Sequence, residues 1–166
     1  MKPGELRSLQ APLKDRYRED PEAALVTLRA QGRLGEGVTC SIETGKALAK
    51  AGLHPATGGD GLSLCSGDML LEALVAFAGV TMNAVATSLE IPLTQATLEA
   101  EGDLDFRGTL GISREIPVGF KNIRLLVKLE TNATEDQIAT LLKLTERFCV
   151  VYQTLAGSAT LSLRRN

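Results

Sequence analysis

Three cysteines and one histidine are the side chains of this sequence best suited to redox, nucleophilic or metal chemistry. Cys40, Cys65 and Cys149 are odd in number and far apart, which argues against a disulfide framework and favours reduced thiols. His54 precedes a proline in a loop, where we expect it to be exposed. Without a Cys-x-x-Cys pair or a second histidine, the spacing predicts no metal site. The chemistry to weigh is that of a thiolate.

The three thiols differ in their expected surroundings. Cys149 lies beside Glu146 and Arg147, whose charges act on its acidity in opposite directions. It is either a directly oxidisable thiol or a small apolar core residue. Cys65 immediately precedes a predicted helix, whose N-terminal dipole would lower the pKa of a thiol, although ordinary packing explains it as well. Cys40 lies in a predicted strand and is expected to be structural.

Two charged residues and the glycine clusters complete the set of candidates. Glu72 interrupts an apolar run, so its carboxylate must reach water, pair with a base or take up a proton. An ion pair across a subunit boundary and a role in a site account for it equally well. Arg33 lies between glycines, as a solvated turn residue would. The glycine clusters lack a phosphate-loop lysine and a strand-turn-helix setting, so we expect no nucleotide or other cofactor.

Length and charge limit the class of protein. With 166 residues, 44% of them hydrophobic, the chain is long enough for one domain with a core. A net charge of -2 gives no electrostatic reason to expect a nucleic acid or an anionic membrane as a partner. The N-terminus lacks the apolar stretch of a signal peptide, so we expect a cytoplasmic protein.

The most prominent predicted element is a helix that starts at Ser66 as N-cap and runs to about Ser88 or Leu89, with Asp68 in its first turn and Pro92 beyond its end. It is apolar around most of its circumference, as are membrane spans and helices packed on several sides. Asp68, Glu72 and Asn83, together with the amphipathic remainder of the chain, favour the soluble alternative. Such a helix needs more cover than one small sheet provides, so we expect a second subunit to complete it.

The other predicted elements are shorter. Residues 1–22 form an amphipathic arm or helix, and residues 23–166 form the main domain. Residues 24–30 and 37–42 form a hairpin around a turn at 31–36. Further predictions are a loop at 52–61, strands at 96–104 and 122–130, a mobile loop at 105–120 that could act as a lid, a helix capped by Thr134 and Gln137, a helical stretch carrying Cys149, and a strand at 159–164.

Two segments resemble a known family. Residues 65–81, CSGDMLLEALVAFAGVT, resemble the long central helix of the OsmC/Ohr thiol peroxidases, and residues 146–155, ERFCVVYQTL, resemble the helix that carries their second cysteine. The loop LHPATGGD at 53–60 is similar to an OsmC-like branch. The resemblance implies an α+β OsmC-like fold, in which two antiparallel sheets surround long central helices in an intertwined homodimer.

The resemblance also implies a catalytic cycle. In the family a reactive cysteine attacks a hydroperoxide and becomes a sulfenic acid, which the second cysteine captures as a disulfide. Phe77 occupies the position of the first cysteine, and Cys149 matches the second. Arg33 best matches the family's supporting arginine, and Asp68 lies one position from its carboxylate. Cys65, Asp68, Glu72 and Phe77 are then expected to line the substrate pocket.

Three functions follow as alternatives. The first is a protein of organic hydroperoxide defence whose two-cysteine cycle is impaired by Phe77, with a dithiol reductant as its further partner. The second is a noncatalytic module that holds a lipid or aromatic molecule in an apolar pocket at the dimer interface, with Arg33 as a polar anchor. The third is a one-cysteine peroxidase that uses Cys149.

Overall fold

A computed structural model describes residues 3–34, 40–42, 51–59, 61–62, 64–157, 162 and 165. The side chains of residues 3–7, 9–10, 27–34, 40–42, 51 and 64 lie outside this description. The chain divides into two compact units. The first consists of Met1–Ala30, Glu43–Glu72 and Glu99–Leu126, and the second of Gln31–Ile42, Ala73–Leu98 and Val127–Asn166.

The long apolar helix forms as the sequence predicts. It is the second helix of the chain, α2, and spans Ser66–Ser88 with Asp68 in its first turn. It ends in a hydrogen-bonded reversal, in which Ile91 N donates to the Ala86 carbonyl and Glu90 N to the Thr87 carbonyl. Glu90 takes a φ of 53°, the left-handed conformation that terminates helices in this way. α2 is long and apolar enough to cross a membrane, but half of its most apolar window is buried inside the protein, as in a core helix.

A four-stranded sheet forms the β part of the fold, in the order β2-β1-β5-β6. Its strands are β1 (Leu25–Leu34), β2 (Cys40–Ile42), β5 (Gln95–Asp105) and β6 (Phe120–Glu130). β1 and β2 are antiparallel, with Leu34 opposite Cys40. β3 (Ala51–Gly52) and β4 (Leu64–Cys65) form a separate parallel pair. A mixed α+β fold with an antiparallel sheet is therefore confirmed, whereas two antiparallel sheets are not.

The hairpin prediction was right in its strands and wrong in its turn. β1 continues through Gly32 to Leu34, so residues 31–34, which were predicted to turn, are paired with β2. The glycine does not interrupt the strand because antiparallel pairing on one side holds its backbone extended. Residues 35–39, which connect β1 to β2 in the sequence, lie outside the description.

The N-terminal segment is a helix, α1, over Pro3–Glu19. Its C-terminal half carries Leu13 and Tyr17 toward a cluster in the first unit formed with Ala24, Phe106 and Leu110. Tyr17 is 2% exposed, and its hydroxyl donates a 2.6 Å hydrogen bond to the Ala56 carbonyl. A 3₁₀ turn, Pro21–Ala24, then leads into β1. The separation of residues 1–22 from the main domain stays a prediction.

The segment predicted as a lid begins with a short helix, α3 (Phe106–Thr109). Asp105 caps this helix by accepting from Arg107 N at 3.1 Å, and Phe106 and Leu110 are buried. Gly108 has no room for a side chain, because a Cβ there would lie 2.8 Å from the Ile116 carbonyl oxygen. The base of the segment is therefore fixed, while Val118 near its other end is exposed.

The second unit ends in two helices, α4 (Glu135–Phe148) and α5 (Val150–Ala156). The predicted capping box at α4 is confirmed, with Gln137 N donating to the Thr134 hydroxyl and the Gln137 side chain accepting from Thr134 N. Cys149 was expected within a helix and instead lies between the two, as the C-cap of α4 and the N-cap of α5. The predicted strand at 159–164 falls, apart from residue 162, outside the description.

Candidate functional site

α2 has an exposed apolar stripe that includes Phe77. One face of the helix is fully buried and carries Leu71, Leu74, Ala78 and Met82. On the opposite face Phe77 is 41% exposed, and Val80, one turn further on, is also exposed. This two-sided apolar character explains why the sequence of the helix has no polar face. The position that the resemblance assigns to a reactive cysteine is therefore accessible in the described chain.

An apolar cleft continues from this stripe within the second unit. Its volume is about 410 Å³. Val80 and Ala84, three and seven residues after Phe77, belong to its α2 wall, and Leu144 and Phe148 of α4 form the other. The remaining lining residues are Thr81, Val85, Ser88 and Leu89. The cleft has the size and apolar lining typical of a site for a small apolar molecule.

Cys149 is fully buried at the junction of α4 and α5. Its sulfur accepts a hydrogen bond from Tyr152 N at 3.4 Å, as an N-capping side chain does. Burial raises the pKa of this thiol, while the backbone N–H groups of Tyr152 and Val151 act in the opposite direction. The environment therefore favours the neutral thiol over the nucleophilic thiolate.

A group of titratable side chains surrounds the start of α2 in the first unit. Asp68 and Glu72 lie one turn apart, and His54 lies close enough to interact with Asp68. Burial raises the pKa of Asp68 and of Glu72, and the charge of Asp68 raises that of Glu72 further. Glu72 forms no salt bridge with any residue in the described part of the chain. These two carboxyls therefore hold their protons at higher pH than exposed carboxyls do.

The prediction for His54 was wrong, because its ring is half-buried. It stacks on Phe106 with 5.1 Å between ring centroids, and its Nδ1 accepts from Ala56 N at 3.0 Å. Burial lowers the pKa of the imidazole, and the charge of Asp68 opposes this shift. The loop that carries His54 packs on a residue distant in sequence, and a local pattern does not reveal such a contact.

The remaining predicted site residues are only partly described. The backbone of Arg33 lies in β1 opposite Ser41, while its side chain and that of Cys40 lie outside the description. Cys65 is half-buried in β4, opposite Gly52 and immediately before α2. Cys65, Asp68 and Glu72 thus belong to the first unit, and Phe77 and Cys149 to the second. Among the described residues, no three histidine, cysteine or acidic side chains are placed to hold a metal ion.

The sequence patterns did not single out two residues near Cys149, Phe148 and Thr145. Phe148 is 54% exposed and forms part of the cleft. The residues that follow it in the sequence are apolar, so the local pattern did not indicate this exposure. Thr145, one turn before Cys149, is buried, and its hydroxyl has no hydrogen-bond partner among the described residues. The helical spacing from Ile138 and Leu141 to Thr145 was the available signal that this hydroxyl faces inward.

A family profile and solved structures both match this chain, whereas curated sequences do not. The sequence profile of OsmC-like proteins matches residues 58–164. The crystal structure of an OsmC-like hydroperoxide resistance protein from Jannaschia sp. CCS1 has a TM-score of 0.62 and 16% identity, covering 86% of this chain and 94% of that one. The structure of an OsmC-like protein from Mycoplasma pneumoniae has a TM-score of 0.56 and 16% identity, with 80% and 86% covered.

No curated protein matches the sequence significantly. At 16% identity the two structures establish a shared fold and nothing about a shared activity. The profile match covers well over half of the chain and includes the exposed stripe of α2, the cleft and the Cys149 junction. This chain therefore belongs to the OsmC-like family.

Proposed function

We propose that this protein is related to the organic hydroperoxide defence associated with its family. Its two-cysteine peroxidase cycle is impaired because Phe77 replaces the reactive cysteine. The observation that carries the proposal is the 41% exposure of Phe77 on α2. A cysteine in this position would be accessible to a peroxide. A phenyl ring there has no lone pair able to attack an O–O bond.

The missing step can be stated in atoms. In the two-cysteine cycle a thiolate attacks one oxygen of ROOH, the S–O bond forms, the O–O bond breaks, and RO⁻ leaves as ROH after taking up a proton. The second thiol then attacks the sulfenic sulfur, forming a disulfide and releasing water. A dithiol reductant restores both thiols by exchange. Without a sulfur at position 77, the first of these steps has no nucleophile.

Cys149 is a poor substitute for that nucleophile. It is fully buried, and burial raises the pKa of its thiol. Because the thiolate is the reactive form, both properties slow the attack on a peroxide. A one-cysteine mechanism is therefore less well supported than an impaired two-cysteine scaffold.

The proposal includes the partners and the setting expected from the sequence. A hydrophobic hydroperoxide suits the apolar cleft beside α2, and a dithiol would serve as reductant. A homodimer would cover the exposed stripe that contains Phe77 and Val80. We place the protein in the cytoplasm, with reduced thiols.

A second candidate function is the noncatalytic binding of a lipid or aromatic molecule. The apolar cleft of about 410 Å³ favours it, because such a volume accommodates a small apolar ligand without any thiol chemistry. Phe77 and Phe148 would then offer aromatic surface at the site. Arg33, proposed as a polar anchor, has a side chain outside the described part.

Restoring the sulfur tests the first proposal. The native chain, Phe77→Cys and Val80→Cys would be incubated with cumene hydroperoxide and a dithiol while loss of the reductant is followed. We expect no enzymatic turnover from the native chain and turnover from Phe77→Cys. Val80→Cys places a new thiol one turn away on the same exposed stripe and controls for nonspecific reactivity.

The other outcomes identify the alternatives. Native turnover that disappears in Cys149→Ser would support the one-cysteine peroxidase and contradict the proposal. Equal turnover from the two new cysteines would show that position 77 has no special role. No turnover from Phe77→Cys, together with an apolar molecule seen bound to the native protein by native mass spectrometry, would favour the binding module.

A further inference from the structure

The only histidine of the chain closes a tight turn by accepting a hydrogen bond through one specific nitrogen. In the turn Pro55–Thr57, His54 occupies the N-cap, and its Nδ1 accepts from Ala56 N at 3.0 Å. An imidazole nitrogen accepts only when it carries no proton, so the neutral ring must hold its proton on Nε2. Nδ1 is therefore the basic nitrogen of His54, and protonating the ring directs two N–H groups at each other.

The same turn also binds α1, through the carbonyl oxygen of Ala56. The hydroxyl of Tyr17 donates to the Ala56 carbonyl at 2.6 Å, and Ala56 packs against the cluster that contains Tyr17 and Phe106. His54 reinforces this cluster by stacking on Phe106. Ala56 is thus bound to His54 through its N–H and to α1 through its carbonyl oxygen.

The turn leaves little freedom for another arrangement. A Cβ at Gly59 would lie 1.7 Å from the Leu53 carbonyl oxygen, so the chain closes on itself immediately after the turn. Gly58 adopts a φ of 93°, which glycine accommodates without strain. Two further backbone bonds of the turn also run to His54, since Thr57 N and Gly59 N donate to its carbonyl at 2.8 and 3.1 Å. A displacement of His54 therefore disturbs these bonds together with the Ala56 bond.

We propose that His54 is a pH-sensitive latch for the N-terminal helix: protonation of Nδ1 breaks the Ala56 N–H bond, opens the Pro55–Thr57 turn and releases the C-terminal half of α1 from Phe106. Released α1 would not remain helical, since short isolated helices are marginal in water and Pro12 interrupts the hydrogen bonding of this one.

The groups that surround the latch determine the direction of its response. From α2, the carboxylate of Asp68 favours the protonated ring, and the same carboxylate raises the pKa of Glu72 one turn further on. From α3, the ring of Phe106 provides apolar cover, while Arg107 is engaged by Asp105. From α1, Tyr17 faces the turn, and Arg16 lies beside it. Burial outweighs Asp68, so the pKa of His54 is lowered in the latched state.

The sign of the effect follows by linkage. A lowered pKa in the latched state means that the released state binds the proton more tightly. The latch is fully closed above the ordinary histidine pKa of about 6.5 and weakens as the pH falls below it. The opening equilibrium shifts about tenfold for each pH unit between the two pKa values.

Hydrogen exchange of α1, compared in the native chain and in His54→Asn, tests the latch. Asparagine caps such turns through an amide oxygen that does not titrate in this range. We expect the α1 amides of the native chain to exchange faster, relative to those of His54→Asn, at about pH 5 than at about pH 7.5. His54→Ala, which cannot accept the bond, should show fast exchange at both pH values. The proposal is wrong if the ratio of α1 exchange rates between the native chain and His54→Asn does not change with pH.

A titration of the unmodified protein gives an independent result. Because there is a single histidine, its imidazole NMR signals need no assignment by mutation. We expect the ring signals of Tyr17 and of His54 to change with one shared midpoint below the ordinary histidine pKa, and Asp68→Asn to lower that midpoint further. A Tyr17 ring that is unaffected by the titration of His54 contradicts the latch. No peroxide enters either experiment, so the outcome is independent of the proposed function.

Discussion

At position 77 a benzyl side chain projects from α2 with 41% of its surface exposed, whereas the thiol of Cys149 is completely buried. Peroxide reduction requires the reverse, an accessible sulfur held as thiolate. Burial raises the pKa of Cys149, and its sulfur is used to cap α5. At the scale of single residues, Cys149 therefore contributes to the structure of the helix junction.

Thr145 allows a residue-scale test of this packing. Its buried hydroxyl has no partner among the described residues, so Thr145→Val replaces an unsatisfied polar group with a methyl group of similar shape. We expect Thr145→Val to raise the free energy of unfolding by about 1 kcal/mol. Urea unfolding followed by circular dichroism measures the change.

Thr140→Val is the matched control for this prediction. Thr140 lies on the same helix, α4, and is exposed, so the same substitution there should leave stability nearly unchanged. A destabilised Thr145→Val protein would show that the hydroxyl makes a bond that the described chain does not contain.

The connection from β5 through α3 to β6 is organised by one buried carboxylate. Asp105 accepts from Arg107 Nη2 at 2.6 Å and from Lys121 Nζ at 3.0 Å, and its own side chain is fully buried. The hydrogen bonds from Arg107 hold the pKa of Asp105 well below its usual range, with Lys121 adding to the effect and burial opposing it. The conformation of this connection therefore depends on an ionised Asp105.

Asp105→Asn is expected to destabilise the protein by about 3 kcal/mol, because it leaves the basic partners of a buried carboxylate unpaired. A depressed carboxyl pKa contributes stability above about pH 4, which is lost as the pH falls toward the pKa of the folded state. The variant should therefore lose less stability on acidification than the native chain does. Urea unfolding at neutral and acidic pH measures both effects.

Asp103→Asn provides the control on the same strand. Asp103 pairs with Arg124, and both side chains are partly exposed, so the loss should be clearly smaller. Equal losses in the two variants would contradict the central role given to Asp105.

Elements governed by local chemistry could be predicted from the sequence. The bounds of α2 followed from its apolar run and the proline beyond it, and the capping box of α4 from Thr134 and Gln137. The turn after β1 was misplaced because pairing with β2 keeps Gly32 in the strand. The burial of His54 also depends on a distant partner, Phe106. Local patterns therefore predicted most helices and strands, but not the contacts that position the candidate site.

For the whole molecule, the exposed apolar surface of the second unit bears on the proposed homodimer. Phe77, Val80, Phe148 and Val150 are all exposed, and large apolar side chains exposed together are typical of interfaces. If Val150, two residues after Phe148, is part of the proposed interface, Val150→Glu should weaken the dimer, because it introduces a charge into an apolar contact. Light scattering after size-exclusion chromatography, over a series of protein concentrations, measures the molar mass.

Val118→Glu makes the same chemical change at a valine that is 72% exposed in the first unit. We expect it to leave the molar mass unchanged. Equal masses for the native chain and both variants would contradict the use of the Val150 surface, and a monomeric native chain would exclude the homodimer.

The family profile begins at residue 58, after α1 and the turn that carries His54. A shortened expression product trimmed to that boundary would lack Tyr17, and with it part of the cover over Phe106 and Leu110. Aromatic and aliphatic side chains that become exposed to solvent promote aggregation. Such a fragment would also lack β1 and β2, two of the four strands of the sheet. Its insolubility would reflect these missing elements and would say nothing about the folding competence of the intact protein.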